Sequence, residues 1–111
     1  MDYRFHKTKD RLVVVLNGDF DLYSAFTLKK KILAELQKKS IDIELECSDV
    51  NYIDSSGIGL ILQVLNHQNE TENKLFLKNV SEEILEIFKA IKIDKTLAGC
   101  FINDKKSSKD E

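Results

Sequence analysis

Ile41-Asp42-Ile43-Glu44-Leu45-Glu46 alternates apolar and acidic residues, and shortly after it Ile58-Gly59-Leu60-Ile61-Leu62-Gln63-Val64-Leu65 repeats apolar residues at helical spacing. Alternation is the signature of a strand with one buried face, and spacings of three and four that of an amphipathic helix. Between them Val50-Asn51-Tyr52-Ile53 forms a second short apolar patch that leads into Asp54-Ser55-Ser56-Gly57. The order reads strand, connector, helix. The helical stripe is Ile58, Ile61, Leu62 and Leu65, widened by Leu60 and Val64, and it leaves Gly59, Gln63, Asn66 and His67 outward. So wide an apolar arc suits a helix largely covered by a sheet.

Upstream, Leu12-Val13-Val14-Val15-Leu16 is a β-branched run too short for a helix and bounded by Asn17-Gly18, which predicts a buried strand. Tyr3-Arg4-Phe5-His6-Lys7 alternates just before it, across Thr8-Lys9-Asp10-Arg11, and predicts an antiparallel hairpin. Ser24 reads as the N-cap of a first helix with Ala25, Leu28, Ile32 and Leu36 on its apolar stripe and Leu33 beside it. Downstream, Leu75-Phe76-Leu77 predicts another strand, and Ser81-Glu82-Glu83 opens a helix carrying Ile84, Ile87, Phe88 and Ile91, its acidic residues suited to the helix N-terminus. Cys100-Phe101-Ile102 predicts a last short strand. Alternating strands and helices argue for a mixed α/β fold.

The chain has 111 residues, which fits one domain, and 42% of them are hydrophobic, enough for a core without metal or disulfide staples. With 17 Lys+Arg against 19 Asp+Glu the net charge is -2, so the basic excess of a nucleic-acid-binding surface is absent. Cys47 and Cys100 stand apart with no Cys-x-x-Cys spacing and no neighbouring histidine, which reads as free thiols in a reducing compartment, with no metal site. No apolar run reaches the length of a membrane span, and the N-terminus carries no signal-like core, so a soluble, cytoplasmic protein without membrane contact is expected. From Asp104 to Glu111 no residue is apolar, which predicts a disordered polar tail over 104–111, after a domain over 1–103.

Two polar clusters stand at strand ends, Gly18-Asp19-Phe20-Asp21 and Asp54-Ser55-Ser56-Gly57-Ile58-Gly59, where open α/β sheets place functional groups. Their glycines let a backbone approach another surface closely, and a serine at a helix N-terminus sits beside unpaired N–H groups that favour an anion. A serine or aspartate in that position also serves as a plain cap. Gly57-Ile58-Gly59 is followed by Leu62 where a dinucleotide fingerprint needs glycine, and no phosphate-binding P-loop occurs. A nucleophile elbow fails because Asp54 and Ile58 flank Ser56 where glycines are required, and His6 and His67 are the only histidines, both read as ordinary surface residues. Asp19-x-Asp21 begins like the acidic pair of a haloacid-dehalogenase-like phosphatase, but Tyr23 departs from that pattern. A response-regulator receiver is the closer rival, with Asp54 as aspartyl phosphoacceptor and Ser81 and Lys95 as loose matches for its later residues.

Taken together, the two clusters resemble the paired turns of the STAS domain of bacterial anti-sigma-factor antagonists, and the resemblance runs from Tyr3 to about Ile102. It implies a STAS-type mixed sheet of four to five strands with helices packed mainly on one face. It also implies a non-enzymatic, cofactor-free protein that binds an anti-sigma factor with serine kinase activity and is released by phosphorylation, with a serine phosphatase resetting the switch and thereby controlling sigma-factor-dependent transcription. Carried over residue by residue, the phosphorylated position is Ser56, the second hydroxyl of the Asp-Ser-Ser-Gly turn. Asp21 and Asp54 match the family's contact aspartates, Ser55 reads as a neighbouring structural cap, and Ser24, Gly57 and Gly59 complete the contact set. The resemblance leaves the oligomeric state open. Family members commonly close with another amphipathic helix after the last strand, whereas the residues following Ile102 here are few and polar, which puts a contact built on that helix in doubt. A STAS scaffold module that is never phosphorylated is a third reading.

Overall fold

In the computed structural model, which describes residues 2–103, β-branched residues and alternating burial build a five-stranded sheet in the spatial order β1-β2-β3-β4-β5. Strand β1 (Asp2–Lys7) returns antiparallel as β2 (Arg11–Phe20), with Tyr3 opposite Leu16 and Phe5 opposite Val14. The Thr8 N–H closes the hairpin by donating to the Arg11 carbonyl at 2.9 Å. Strands β3 (Asp42–Ile53), β4 (Leu75–Lys78) and β5 (Phe101–Ile102) follow in parallel. Each parallel step crosses through one helix: α1 (Leu22–Lys38), α2 (Ser55–Glu70) and α3 (Glu82–Ala90). Because the strands always step in the same direction, and such crossovers are right-handed, all three helices fall on one face.

Burial records that one-sidedness. Leu12, Val14 and Leu16 of β2, Ile43, Leu45 and Cys47 of β3, and Leu75 and Leu77 of β4 point toward the helices and are buried, as are Leu28, Ile32, Ile61, Val64, Ile84 and Phe88 of the helices. The opposite face carries charge. Glu44 is buried there, accepting from Arg11 Nη1 at 2.6 Å with Lys78 Nζ 3.8 Å away, and the Arg11 guanidinium lies 4.0 Å from the Phe76 ring centroid.

Several element boundaries differ from the sequence reading. Helix α1 begins at Leu22 and its N-cap is Asp21, not Ser24, which instead takes the third helical position. Asn17-Gly18 does not end β2. The strand continues to Phe20 through two register shifts, with Gly18 at φ 109°. Nor is there a connector in β3, which runs unbroken because Asp49 and Val50 pair with Asn17 and Gly18. Tertiary pairing thereby holds polar residues whose own strand preference is weak.

The apolar face of α2 is also rotated, leaving Leu62 and Leu65 half-buried and fully burying Gln68. Gln68 Nε2 donates to the Ile41 carbonyl at 2.8 Å and the Lys74 carbonyl at 2.9 Å, tying the helix end to the starts of β3 and β4. Leu33 is 40% exposed, and Ile91 is 48% exposed beyond the end of α3, where Lys92 at φ 66° turns the chain away. The polar tail expected over 104–111 lies outside the described residues.

Candidate functional site

The carboxyl ends of β2 and β3 are neighbours in the sheet, so each delivers one acidic residue to the same edge of the molecule. Phe20 and Ile53 pair as the last buried residues of the two strands, and Asp21 and Asp54 follow them directly. Both aspartates adopt the same extended conformation, φ -112° and ψ -171° for Asp21, φ -111° and ψ -173° for Asp54, and each caps the helix behind it.

The two caps are built differently. Asp21 and Ser24 form a reciprocal box: Asp21 Oδ1 accepts the Ser24 N–H at 3.1 Å and the Ser24 hydroxyl at 2.7 Å, while Ser24 Oγ accepts the Asp21 N–H at 3.1 Å. The Ser24 hydroxyl, helped by its backbone N–H, holds the Asp21 carboxyl below the usual carboxylate range. Asp54 Oδ1 accepts the N–H groups of Ser56 at 2.8 Å and Gly57 at 3.3 Å, and the Asp54 carbonyl accepts the Ile58 N–H at 3.0 Å. The α2 cap is therefore Asp54 and not Ser55, which is exposed at the first helical position.

Gly57 lets the two turns meet. The Asp54 N–H donates to the Phe20 carbonyl at 3.2 Å, and a Cβ on Gly57 would lie 2.8 Å from that same oxygen and 2.9 Å from Phe20 Cγ and Ile53 Cγ1. No side chain fits there without moving β2 away from α2. At Gly59, by contrast, a Cβ would meet nothing within 4 Å. Helix propensity favours alanine over glycine at both positions, but at Gly57 the contact with Phe20 and Ile53 overrides it.

The sequence-predicted site residues thus fall into three groups. Asp21 and Asp54 come together and line one open pocket of about 520 Å³ with Leu22, Tyr23 and Phe26. Ser56 is partly exposed at the second position of α2, and its hydroxyl makes no hydrogen bond among the described residues. Ser24 is 2% exposed, so it positions Asp21 from behind and is unavailable as a contact surface. The three apolar lining residues were missed in the sequence because a helix started at Ser24 leaves Leu22 and Tyr23 outside it. Elsewhere, Cys47 and Cys100 are buried free thiols, and burial, with the nearby Glu46 charge, pushes Cys47 up to about 12. His6 is exposed on β1 and His67 half-buried on α2, both away from this pocket's lining. Among the described residues no helix is long and apolar enough to cross a membrane.

A sheet whose spatial order equals its chain order, with an antiparallel first strand and helices on one face, departs from the doubly wound receiver arrangement, which reverses strand order at a switch point. Residues 3–106 match the model of the STAS domain, and the chain belongs to the STAS domain family. It is 29% identical over 82 residues to the anti-sigma-B factor antagonist of Bacillus subtilis, covering 74% of each chain. It is 29% identical over 75 residues to that of Staphylococcus epidermidis, covering 68% of this chain and 69% of the relative. Its fold matches the anti-sigma factor antagonist SpoIIAA in its unphosphorylated form at a TM-score of 0.79 and 19% identity, covering 93% of this chain and 88% of the other. The phosphorylated form of SpoIIAA, a Bacillus cell fate determinant, matches at 0.77 and 19% identity, covering 98% and 97%.

Proposed function

We propose that this chain is an anti-sigma-factor antagonist whose partner is an anti-sigma factor with serine kinase activity, bound when Ser56 is bare and released when Ser56 carries phosphate. A serine phosphatase then returns the bare form, and the chain itself catalyses nothing. The observation that carries this reading is Ser56, partly exposed in the first turn of α2 just after the Asp54 cap, whose hydroxyl makes no hydrogen bond among the described residues. The same geometry disfavours Asp54 as a phosphoacceptor, because its Oδ1 is engaged by two backbone N–H groups that hold α2 in place.

Release follows from charge. A phosphoserine carries about -1.5 to -2 charges, and a helix N-terminus ordinarily offsets part of that. Here the Ser56 and Gly57 N–H groups already serve Asp54, so the compensation expected from the sequence is smaller, and the Asp54 carboxylate they serve lies in the same turn. Closing an interface over that charge buries it unpaired, at a cost of several kcal/mol for an ion of this size. The fold is left intact, since the Ser56 hydroxyl holds no hydrogen bond among the described residues that the modification would break.

The test is incubation of the chain with the serine-kinase anti-sigma factor of its own organism and ATP, followed by mapping of phosphate by mass spectrometry. Acid-stable phosphate on Ser56 is the expected result. Acid-labile phosphate on Asp54 would favour aspartyl transfer, and a chain that binds the partner yet takes no phosphate would be a scaffold module.

A further inference from the structure

An amphipathic surface helix places polar residues opposite its buried stripe. In α1 the buried stripe is Ser24, Ala25, Leu28, Ile32 and Leu36, yet the outward residues of the first turns are Leu22, Tyr23 and Phe26, exposed by 69%, 76% and 58%. Side chains this exposed contribute little to folding, so the fold does not account for their apolar character. They are also grouped, since all three line one open pocket of about 520 Å³ whose other walls are Asp21 and Asp54. One rim of the patch already handles a cation: Lys30 Nζ lies 4.7 Å from the Phe26 ring centroid.

We infer that Leu22, Tyr23 and Phe26 are the anchoring surface for the kinase partner, receiving an apolar side chain flanked by a lysine or arginine that sits against Asp21 and Asp54. The inference rests on the phosphorylation reading, because Asp54, one wall of this pocket, also caps the turn that carries Ser56. Charge selects the occupant. A second copy of the chain meeting this patch face to face would bring two Asp21–Asp54 pairs together, which like-charge repulsion opposes. A single cation offsets one of the two carboxylate charges, and a phosphate on Ser56 then adds further negative charge to an interface that already retains one. The apolar anchor acts on affinity, before phosphoryl transfer, because Ser56 is not among the residues that line its pocket.

The experiment uses the full chain and the purified serine-kinase anti-sigma factor of the same organism, measuring affinity by calorimetric titration and Ser56 phosphorylation by steady-state kinetics. Replacing exposed residues, the double variant Tyr23→Ser with Phe26→Ser is expected to keep the wild-type melting temperature. Its KM as kinase substrate should rise about thirtyfold with kcat unchanged, as for the loss of a buried aromatic anchor. Wild-type affinity should fall with added salt, as expected for a cation held by two carboxylates. A double variant that binds and is phosphorylated as well as wild type overturns the anchor and leaves the phosphorylation reading standing. Binding that the double variant loses, with no phosphate on the wild type, overturns the phosphorylation reading and supports the anchor. A wild-type dimer that the double variant dissolves overturns the anchor by showing that the patch is filled by a second copy.

Discussion

At the scale of single residues, Gly57 and Gly59 separate two uses of glycine only two residues apart. Gly57→Ala drives a Cβ into the Phe20 carbonyl and should destabilise the fold by about 1–3 kcal/mol, the usual cost of overpacking a tight contact. Gly59→Ala meets open space and should be neutral or stabilising by up to about 1 kcal/mol through helix propensity. Equal stability of the two variants in urea would remove the argument that Gly57 brings the two turns together. Asp54→Asn keeps a competent N-cap, whereas Asp54→Ala should cost about 1 kcal/mol, and Ser55→Ala almost nothing because Ser55 caps nothing. Asp21 adds a pH dependence. Its folded-state pKa is depressed by Ser24, so its stabilising contribution is present above the ordinary carboxylate pKa and lost as pH falls through the folded value. Ser24→Ala should therefore raise the Asp21 pKa toward that of an ordinary carboxylate in an NMR titration and flatten the acid limb of the stability curve. An unchanged Asp21 titration would show that the box is not the cause.

At the scale of elements, what the sequence disclosed and what it hid divide along local and tertiary causes. The hairpin, the three helices, the Ser81 cap and the two-residue last strand were legible because period, turn chemistry and capping act within a few residues. The first cap was misplaced by three residues because Asp21 and Ser24 are both good caps and each bonds the other, so composition does not rank them. The continuity of β3 through Ser48 and Asp49, the bulged end of β2 and the burial of Gln68 were illegible, since each is imposed by a neighbour distant in sequence. At the site, Ser56, Asp21 and Asp54 came from motif resemblance, while the Gly57 contact needed the relative placement of two strands. Gln68 gives the test at this scale. Gln68→Ala removes both donors to the Ile41 and Lys74 carbonyls and opens a cavity, and should cost about 2–4 kcal/mol. It should also loosen amide protection in the first residues of β3 and β4 before the Ser56 turn is affected. Loss of protection at the turn first would mean that the two ends of α2 are coupled.

At the scale of the whole molecule, an unvarying order of strands does two things at once. It places every helix on one face and brings the ends of β2 and β3 side by side, so that two helix caps, the Ser56 turn and one apolar patch share a single edge. A modification there changes what the surface presents while the core stays as it is. Ser56→Ala keeps a small neutral surface and should bind the kinase permanently. Ser56→Asp adds about one charge where phosphate adds nearly two, and should weaken binding only in part. Both should melt within about 1 kcal/mol of wild type, as surface substitutions do. The measurement that bears most directly on the account is the affinity of the serine-kinase anti-sigma factor for the bare chain and for the chain phosphorylated on Ser56, titrated under identical conditions. The account predicts tight binding by the bare form and a loss of more than about a hundredfold, equivalent to roughly 3 kcal/mol, on phosphorylation. Equal affinities for the two forms would contradict it.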